Sequence, residues 1–231
     1  MTAIDPAAAL EPAPTGPLVL ALPKGRILEE CAPLLGAAGI RPAPDYADEA
    51  SRRLRFPTED PGLDVVRVRS FDVATFVAFG AAALGICGAD VLMEFDYPEI
   101  YAPLDLGIGQ CRMVVAEPAA EAGLDDLRRL SRVRVATKYP NIARRHFAVR
   151  GVQADVVVLN GSVELAPGLG IARRIVDLVQ TGRTLAANGL VVTEVIAPVT
   201  SRLIVNRSAL KTGGEALFSL IAGFRRAIGA G

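Results

Sequence analysis

Short apolar segments that alternate with segments of helical periodicity restrict the fold of this chain more than any other feature. The segments predicted to be strands are residues 18–22, 84–88, 112–116, 133–137, 155–159, 172–179 and 191–206. Those predicted to be helical are residues 27–38, 72–79, 90–94, 124–130, 141–149 and 215–228. Strands that alternate with short helices are typical of an α/β protein with mostly parallel sheets.

The length and composition of the chain are compatible with one large domain or with two small lobes. A chain of 231 residues buries roughly 70% of its extended surface on folding, so its core needs no disulfide or metal for support. The cysteines Cys31, Cys87 and Cys111 are widely spaced and form no CxxC pattern. We expect them to be small buried side chains in a reducing compartment, which indicates the cytoplasm.

The charges of the chain exclude partners that are recognised by overall electrostatics. Lys and Arg together number 25, and Asp and Glu also number 25, which gives a net charge of zero. Neither nucleic acid nor an anionic membrane surface is therefore expected as a partner. The stretch 1–17 lacks a basic start and an apolar core, so we expect a flexible tail there and not a signal peptide. No apolar run is long enough to span a bilayer.

One strand of the pattern is followed by an acid and then by a turn rich in hydroxyl groups. Asp177 lies near the carboxyl end of the strand, where ligands bind in open α/β sheets. Thr181, Gly182 and Thr184 then offer backbone N–H groups and two hydroxyls at the start of a short helix, a combination that suits a phosphate monoester. The alternative, a plain strand–turn–helix with Thr as the N-cap, remains open.

The first strand–helix turn has a similar character. Lys24 and Arg26 flank Gly25 beside the start of a helix, and such a basic turn suits a pyrophosphate or polyphosphate group. A solvated basic turn without a ligand is the alternative. A third strand–turn, residues 159–165, contains Ser162, which is a candidate helix cap.

Eight segments, taken in order, resemble the short form of the ATP phosphoribosyltransferase family. They are LALPKGRILEE (20–30), SRRL (51–54), LGICGADVLME (84–94), LDLGIGQCRMVVA (104–116), VATKYPNIARRHF (135–147), LNGSVELAP (159–167), IVDLVQTGRTLAANGL (175–190) and SRLIVNRSALK (201–211). They cover the chain from about residue 18 onward, and eight matches in the same order make a chance similarity improbable.

The resemblance implies a two-lobed fold like that of type II periplasmic binding proteins, with the active site between the lobes. We expect residues 18–106 and 190–231 to form the first lobe and residues 107–189 the second. The implied reaction joins N1 of ATP to C1 of the ribose of phosphoribosyl pyrophosphate, with Mg²⁺, and releases pyrophosphate. The chain ends soon after SRLIVNRSALK, which resembles the catalytic-only form. That form implies a hetero-oligomer with a regulatory subunit related to histidyl-tRNA synthetase.

The resemblance also implies roles for residues of the two turns. The candidates for binding phosphoribosyl pyrophosphate are Asp177, Gln180, Thr181, Gly182, Arg183 and Thr184. The candidates for binding ATP or pyrophosphate are Lys24, Gly25, Arg26 and Arg52. Of these we expect Arg26, Arg52 and Asp177 to be catalytic, through electrostatic stabilisation and positioning. We expect substrate oxygens to hold most of the Mg²⁺ coordination, without a dedicated protein metal site.

Some positions depart from the family pattern. Arg173 and Arg174 stand where the family usually has an acid and Ala, while Ala83 and Ala89 replace a common Asp and Lys. His146 is the only histidine, and we interpret it as a packing or surface residue. Two other functions stay open: a solute-binding module of the same fold, and a phosphoribosyltransferase that salvages free bases. The second normally has two adjacent acids before its phosphate loop, whereas here Asp177 stands alone.

Overall fold

The computed structural model describes residues 16–48, 50–124 and 130–229. The helix predicted near 124–130 and the tail predicted over 1–17 lie, apart from their edges, outside these residues. Across the described ranges, every helix is too short or too polar to traverse a bilayer.

Within the described residues, six strands form the first sheet, in the order β2-β3-β1-β4-β11-β5. Their bounds are β1 Leu18–Pro23, β2 Arg55–Pro57, β3 Leu63–Val68, β4 Leu84–Gly88, β5 Ile100–Asp105 and β11 Ser201–Asn206. Strands β1, β3 and β4 are parallel, so Pro23 pairs with Val68 at the carboxyl end of the sheet. The turn that contains Lys24 leaves the sheet at this edge, where its backbone N–H donates to the Val68 carbonyl at 2.8 Å.

The second sheet has five strands in the described part of the chain, in the order β10-β6-β9-β7-β8. Their bounds are β6 Cys111–Pro118, β7 Arg132–Thr137, β8 Gln153–Val158, β9 Arg174–Val179 and β10 Leu190–Val199. Strands β7 and β9 are parallel neighbours in which Thr137 pairs with Val176. The segments after residues 137 and 179 therefore leave the sheet side by side.

The prediction of mostly parallel sheets is wrong. In the first sheet β2, β5 and β11 pair antiparallel with their neighbours, and in the second sheet β6 is antiparallel to both β9 and β10. The reason is the path of the chain between the sheets. It leaves the first sheet along β5 and returns along β11, so β11 runs against the parallel core and pairs antiparallel with both β4 and β5.

Helices cover both faces of each sheet. The helices are α1 Arg26–Ala37, α2 Ser70–Ala78, α3 Ala89–Phe95, α4 Pro140–Ala148, α5 Leu165–Gly168, α6 Arg183–Ala187, α7 Ala209–Thr212 and α8 Gly214–Ala227. Apolar residues at helical spacing explain their docking: Leu28, Cys31 and Leu35 of α1 are buried in one core of the first sheet. The second sheet is likewise enclosed between two apolar clusters, one of which contains Phe147 of α4 and the other Leu185 of α6.

Two adjacent segments connect the sheets. The Leu106 N–H donates to the Ser201 carbonyl and the Ser201 N–H donates to the Ile108 carbonyl, both at 2.9 Å. Gly109 lies here at φ 66°, and a Cβ atom on it would come within 2.6 Å of Ile27 Cδ1, so the close approach to α1 requires glycine. The return crossing therefore follows Val199. This differs from the division expected at residue 190, because β10 pairs with β6 and belongs to the second sheet.

Candidate active site

The acid and the hydroxyl-rich turn of the second sheet line one small cavity. Asp177 lies between Ile175 and Val179, which pack on the face of β9 that α6 covers. Gly182 precedes α6 at φ 77° and serves as its N-cap position, so Thr184 lies within the helix and is not its N-cap. The cavity has a volume of about 180 Å³. It is lined by Glu164, Asp177, Leu178, Val179, Gln180, Thr181, Gly182, Thr184 and Leu185.

The electrostatic environment of Asp177 disfavours its charged form. Burial, helped by the nearby carboxylates of Glu164 and Asp90, raises the pKa of Asp177 to about 6. The Leu178 N–H, 2.8 Å from Oδ1, and the ammonium group of Lys138 act in the opposite direction. A buried carboxylate whose charge is disfavoured is stabilised when it accepts hydrogen bonds, and the hydroxyl groups of a sugar can donate them.

Glu164 is a second acid in this cavity that the sequence interpretation missed. It lies just before α5, in the strand–turn segment for which only Ser162 was considered. Arg173 and Arg174, which stand where an acid was expected, point to other partners. Arg174 is buried, with Nη2 3.3 Å from Glu117 Oε2, and Arg173 Nε lies 2.8 Å from Glu121 Oε2. The arginine pair therefore joins β9 to the end of β6.

The basic turn of the first sheet lines a second cavity. Gly25 adopts φ 81° and ψ −155°, a conformation that only glycine adopts readily. Lys24 and Gly25 line a cavity of about 240 Å³ together with Leu28 and Arg67. The basic turn thus lies beside an open space at the carboxyl edge of the sheet.

Arg26 connects the two turns. Its Nη1 donates a hydrogen bond to Oε1 of Gln180 in the other lobe, and its Nε lies 3.4 Å from Glu30 Oε1. Arg183 and Arg52 are not drawn in to the same extent: both are exposed, and neither lines a cavity. The structure therefore brings Arg26 to the loop that follows Asp177, but it leaves Arg52 outside both cavities.

A buried contact between α3 and α4 joins the lobes on another side of the cleft. The Tyr139 hydroxyl donates to Asp90 Oδ2 at 2.9 Å, while the Glu94 carboxylate accepts from the backbone N–H groups of Asn141 at 2.9 Å and Ile142 at 3.0 Å. A carboxylate at the N-terminus of a helix is stabilised by the helix dipole and by these otherwise unpaired donors. Burial raises the pKa of Asp90, and its hydrogen bond from Tyr139 opposes this.

Sequence reasoning missed this contact, although one signal was available. Asp90 and Tyr139 each follow the carboxyl end of a parallel strand, which is the position that served to identify Asp177. Lys138 is also placed there, with Nζ 3.9 Å from the centroid of the Phe71 ring.

His146, on helix α4, packs against the second sheet. His146 Nε2 lies 2.9 Å from Glu194 Oε2, and burial together with the Arg150 guanidinium lowers the pKa of His146 to about 4. His146 is therefore in a packing contact between α4 and β10, and it lines neither of the two cavities. Among the described residues, no group of three or more His, Cys, Asp or Glu side chains could hold a metal ion.

Comparisons with known proteins agree with this geometry. The family model "HisG: ATP phosphoribosyltransferase" matches residues 69–226. An ATP phosphoribosyltransferase of Paramagnetospirillum magneticum is 65% identical over 216 residues, which cover 94% of this chain and 99% of the relative. One of Gluconobacter oxydans is 66% identical over 212 residues, which cover 92% of this chain and 88% of the relative.

Solved structures extend the comparison to the fold. The ATP phosphoribosyl transferase (HisG:HisZ) complex from Thermotoga maritima contains a chain that matches with a TM-score of 0.78 and 31% identity, over 93% of this chain and all of that one. The periplasmic aliphatic sulphonate binding protein SsuA from Escherichia coli matches with a TM-score of 0.55 at 14% identity, over 91% of this chain and 68% of that one. The second likeness concerns the fold alone, and it confirms the two-lobed architecture expected of type II periplasmic binding proteins.

Proposed function

The chain belongs to the ATP phosphoribosyltransferase family, and on that premise we propose the reaction that it catalyses. It transfers the phosphoribosyl group of phosphoribosyl pyrophosphate to N1 of ATP, giving phosphoribosyl-ATP and pyrophosphate, the first step of histidine biosynthesis. The observation that carries this proposal is the cavity between Asp177 and Thr184, which Arg26 of the other lobe reaches through Gln180. We assign the acid to the ribose hydroxyls, the turn to the 5-phosphate and the cation to the pyrophosphate leaving group.

The turn after β9 supplies groups for the ribose and its 5-phosphate. Asp177 accepts hydrogen bonds from the ribose hydroxyls, and Glu164, on the same cavity, is placed to share them. Thr181 and Thr184 donate from their hydroxyls, while Gln180, Gly182 and Arg183 present backbone N–H groups to the phosphate. Gly182 is needed because its positive φ turns the backbone toward the ligand.

The first lobe supplies groups for the charges that develop in the reaction. Breaking the bond between ribose C1 and pyrophosphate leaves negative charge on the leaving group and positive charge on the sugar. Lys24, Gly25 and Arg26 lie where they can receive the pyrophosphate, and we assign Arg52 to the same group as a further cation. ATP N1 is the nucleophile, so the protein needs to position and stabilise the reactants but not to supply a base.

Mg²⁺ accompanies the pyrophosphate group of the substrate in this proposal. The carboxylates of Asp177 and Glu164 are hard oxygen donors on one cavity, and a magnesium ion fits such a pair together with substrate oxygens and water. When bound, the ion neutralises charge on the leaving group. With such an ion bound, Asp177 and Glu164 would also orient the ribose through its hydroxyl groups.

The same proposal extends to assembly and location. Because the matched Thermotoga maritima structure is named as a HisG:HisZ complex, we propose that this chain also assembles with a regulatory subunit, one related to histidyl-tRNA synthetase. We place the enzyme in the cytoplasm, where ATP and phosphoribosyl pyrophosphate are available to it.

The test is release of pyrophosphate by the purified chain, with and without the candidate regulatory subunit. We expect release only when ATP, phosphoribosyl pyrophosphate and Mg²⁺ are all present. Free adenine or guanine offered in place of ATP should give none. Turnover with a free base but not with ATP would contradict the proposal and favour a salvage enzyme.

A further inference from the structure

Arg67 is a buried cation on the core side of a strand. Buried and half-buried residues alternate along β3, and Arg67 shares the buried face with Leu63 and Val65. Only 3% of its surface is exposed. A charged group at such a position costs free energy unless it is fully engaged by hydrogen bonds, so its partners indicate what it does.

The partners of Arg67 are backbone carbonyls of the segment that leads to Arg52. Its Nη1 donates to the carbonyls of Tyr46 at 2.7 Å and Asp48 at 2.9 Å, and its Nη2 donates to the carbonyl of Ser51 at 3.1 Å. The guanidinium also lies over the Phe56 ring, 5.2 Å from its centroid. One side chain therefore holds the backbone of this segment at three points, the last of them next to Arg52.

Arg67 also lines the cavity of the first lobe. The wall of that cavity is made by Lys24, Gly25, Leu28 and Arg67, so Arg67 is in contact both with the proposed pyrophosphate cavity and with the segment that precedes Arg52. Its Nε is buried and has no hydrogen-bond partner among the described residues. Arg52 itself lines neither cavity, whereas the carbonyl of the preceding residue, Ser51, accepts a hydrogen bond from Arg67.

The chemistry of these contacts requires arginine. Three carbonyls reached by two nitrogens in one plane match the rigid fork of a guanidinium, whereas an ammonium group is a single point. A lysine at this position would keep the charge but could not span the carbonyls of residues 46 and 51 together.

We propose that Arg67 is a positioning residue that acts through Arg52: it fixes the backbone before Arg52 against the cavity of the first lobe and so places that cation for the pyrophosphate group. This inference rests on the proposed function, because it takes the cavity to be the place of ATP or pyrophosphate. It concerns a residue that touches the ligand cavity but whose effect is exerted on another side chain.

The experiment is a double-mutant cycle on the binding of inorganic pyrophosphate with Mg²⁺, measured by isothermal titration calorimetry. The proteins are the wild type, Arg52→Ala, Arg67→Met and the double variant. We expect each single change to weaken binding about tenfold, as for the loss of one contact to a charged group. We expect the double variant to bind no more weakly than Arg52→Ala alone, because removal of Arg52 leaves Arg67 nothing to place.

A matched control separates positioning from stability. Asn206 is a buried residue of the same sheet, whose Nδ2 donates to the carbonyls of Val77 at 2.8 Å and Ala78 at 3.2 Å. Asn206→Leu should destabilise the protein but leave the Kd for pyrophosphate unchanged. If circular dichroism shows that Arg67→Met does not fold, Arg67→Lys takes its place in the cycle with a smaller loss.

Each outcome decides one question. Three results would overturn the inference about Arg67. They are losses of pyrophosphate affinity that multiply in the double variant, an unchanged Kd in the Arg67 variant, and an equal loss of affinity in Asn206→Leu. A wild type that turns over ATP and phosphoribosyl pyrophosphate but does not bind pyrophosphate would also overturn it while leaving the function intact. A wild type that binds pyrophosphate without turnover would overturn the proposed function alone.

Discussion

Replacement of Asp177 by Asn should stabilise the free enzyme at neutral pH while it damages substrate binding. Burial, with Glu164 and Asp90 next, raises the pKa of Asp177 from 3.8 to about 6. The folded state therefore binds more protons than the unfolded state between these values, so stability falls as pH rises through this window. Above pH 6 the full cost applies, at most about 3 kcal/mol for a half-buried carboxylate. Asn removes this cost and keeps an oxygen that can accept from the Leu178 N–H.

The magnitude and its pH dependence can be read from thermal unfolding followed by circular dichroism. A gain of about 3 kcal/mol at pH 8, the upper limit, raises the Tm of a chain of this size by roughly 6–12 °C. At pH 4.5 the wild-type carboxyl is mostly protonated in the folded state, and the gain should shrink to about 1 kcal/mol. Asp155→Asn is the control, because that side chain is 40% exposed in its ion pair with Arg132 and should show no such pH-dependent gain.

Two results would refute this reasoning. A variant less stable than the wild type at pH 8 would mean that Asp177 is held by donors that stabilise its charge. A gain equal at pH 8 and pH 4.5 would mean that the effect is not electrostatic. Kinetic measurement on the same variant should show a higher KM for phosphoribosyl pyrophosphate, since the ribose hydroxyls lose a charged acceptor.

Three further changes have defined outcomes. Thr184→Ala should weaken binding of phosphoribosyl pyrophosphate by about 1–3 kcal/mol, because a phosphate contact is lost, and this should appear as a higher KM with normal folding. Thr212→Ala, on the exposed helix α7, is the control. An unchanged KM in Thr184→Ala would remove Thr184 from the site. Tyr139→Phe should lower the free energy of unfolding by about 1–3 kcal/mol, because it removes the side-chain donor of the buried Asp90 carboxyl. Urea denaturation measures this, and Tyr101→Phe at an exposed ring should change little. His146→Gln should leave the pH profile of kcat unchanged between pH 6 and pH 9, since the pKa of His146 is lowered to about 4; a lost limb in that range would assign it a catalytic role.

Two strands that sequence could predict, residues 84–88 and 133–137, contain at most one charged residue each and match β4 and β7 closely. The acid and the hydroxyl-rich turn that follows it line one cavity in the structure. Strand β3 was not predicted, because Asp64 and Arg67 interrupt its apolar pattern. Arg67 can face the core only because three distant carbonyls receive it, and no local pattern contains that information.

The contacts between the lobes were also beyond local pattern. Tyr139 and Asp90 are 49 residues apart in the chain, and Arg26 and Gln180 are 154 residues apart. Such pairs are decided by how two sheets are placed, which the spacing of residues in one segment does not determine. The Arg173–Arg174 pair was unexplained for the same reason, since its acids, Glu117 and Glu121, lie across the sheet on and after another strand.

Identification of the product by mass spectrometry tests the central claim most directly. Incubation of the enzyme with ATP, Mg²⁺ and phosphoribosyl pyrophosphate labelled with ¹³C in the ribose should yield ATP that carries the labelled phosphoribosyl group at N1 of adenine, with one pyrophosphate released for each product. Label that stays in the unreacted substrate, or that appears on a free base and not on ATP, would contradict the account.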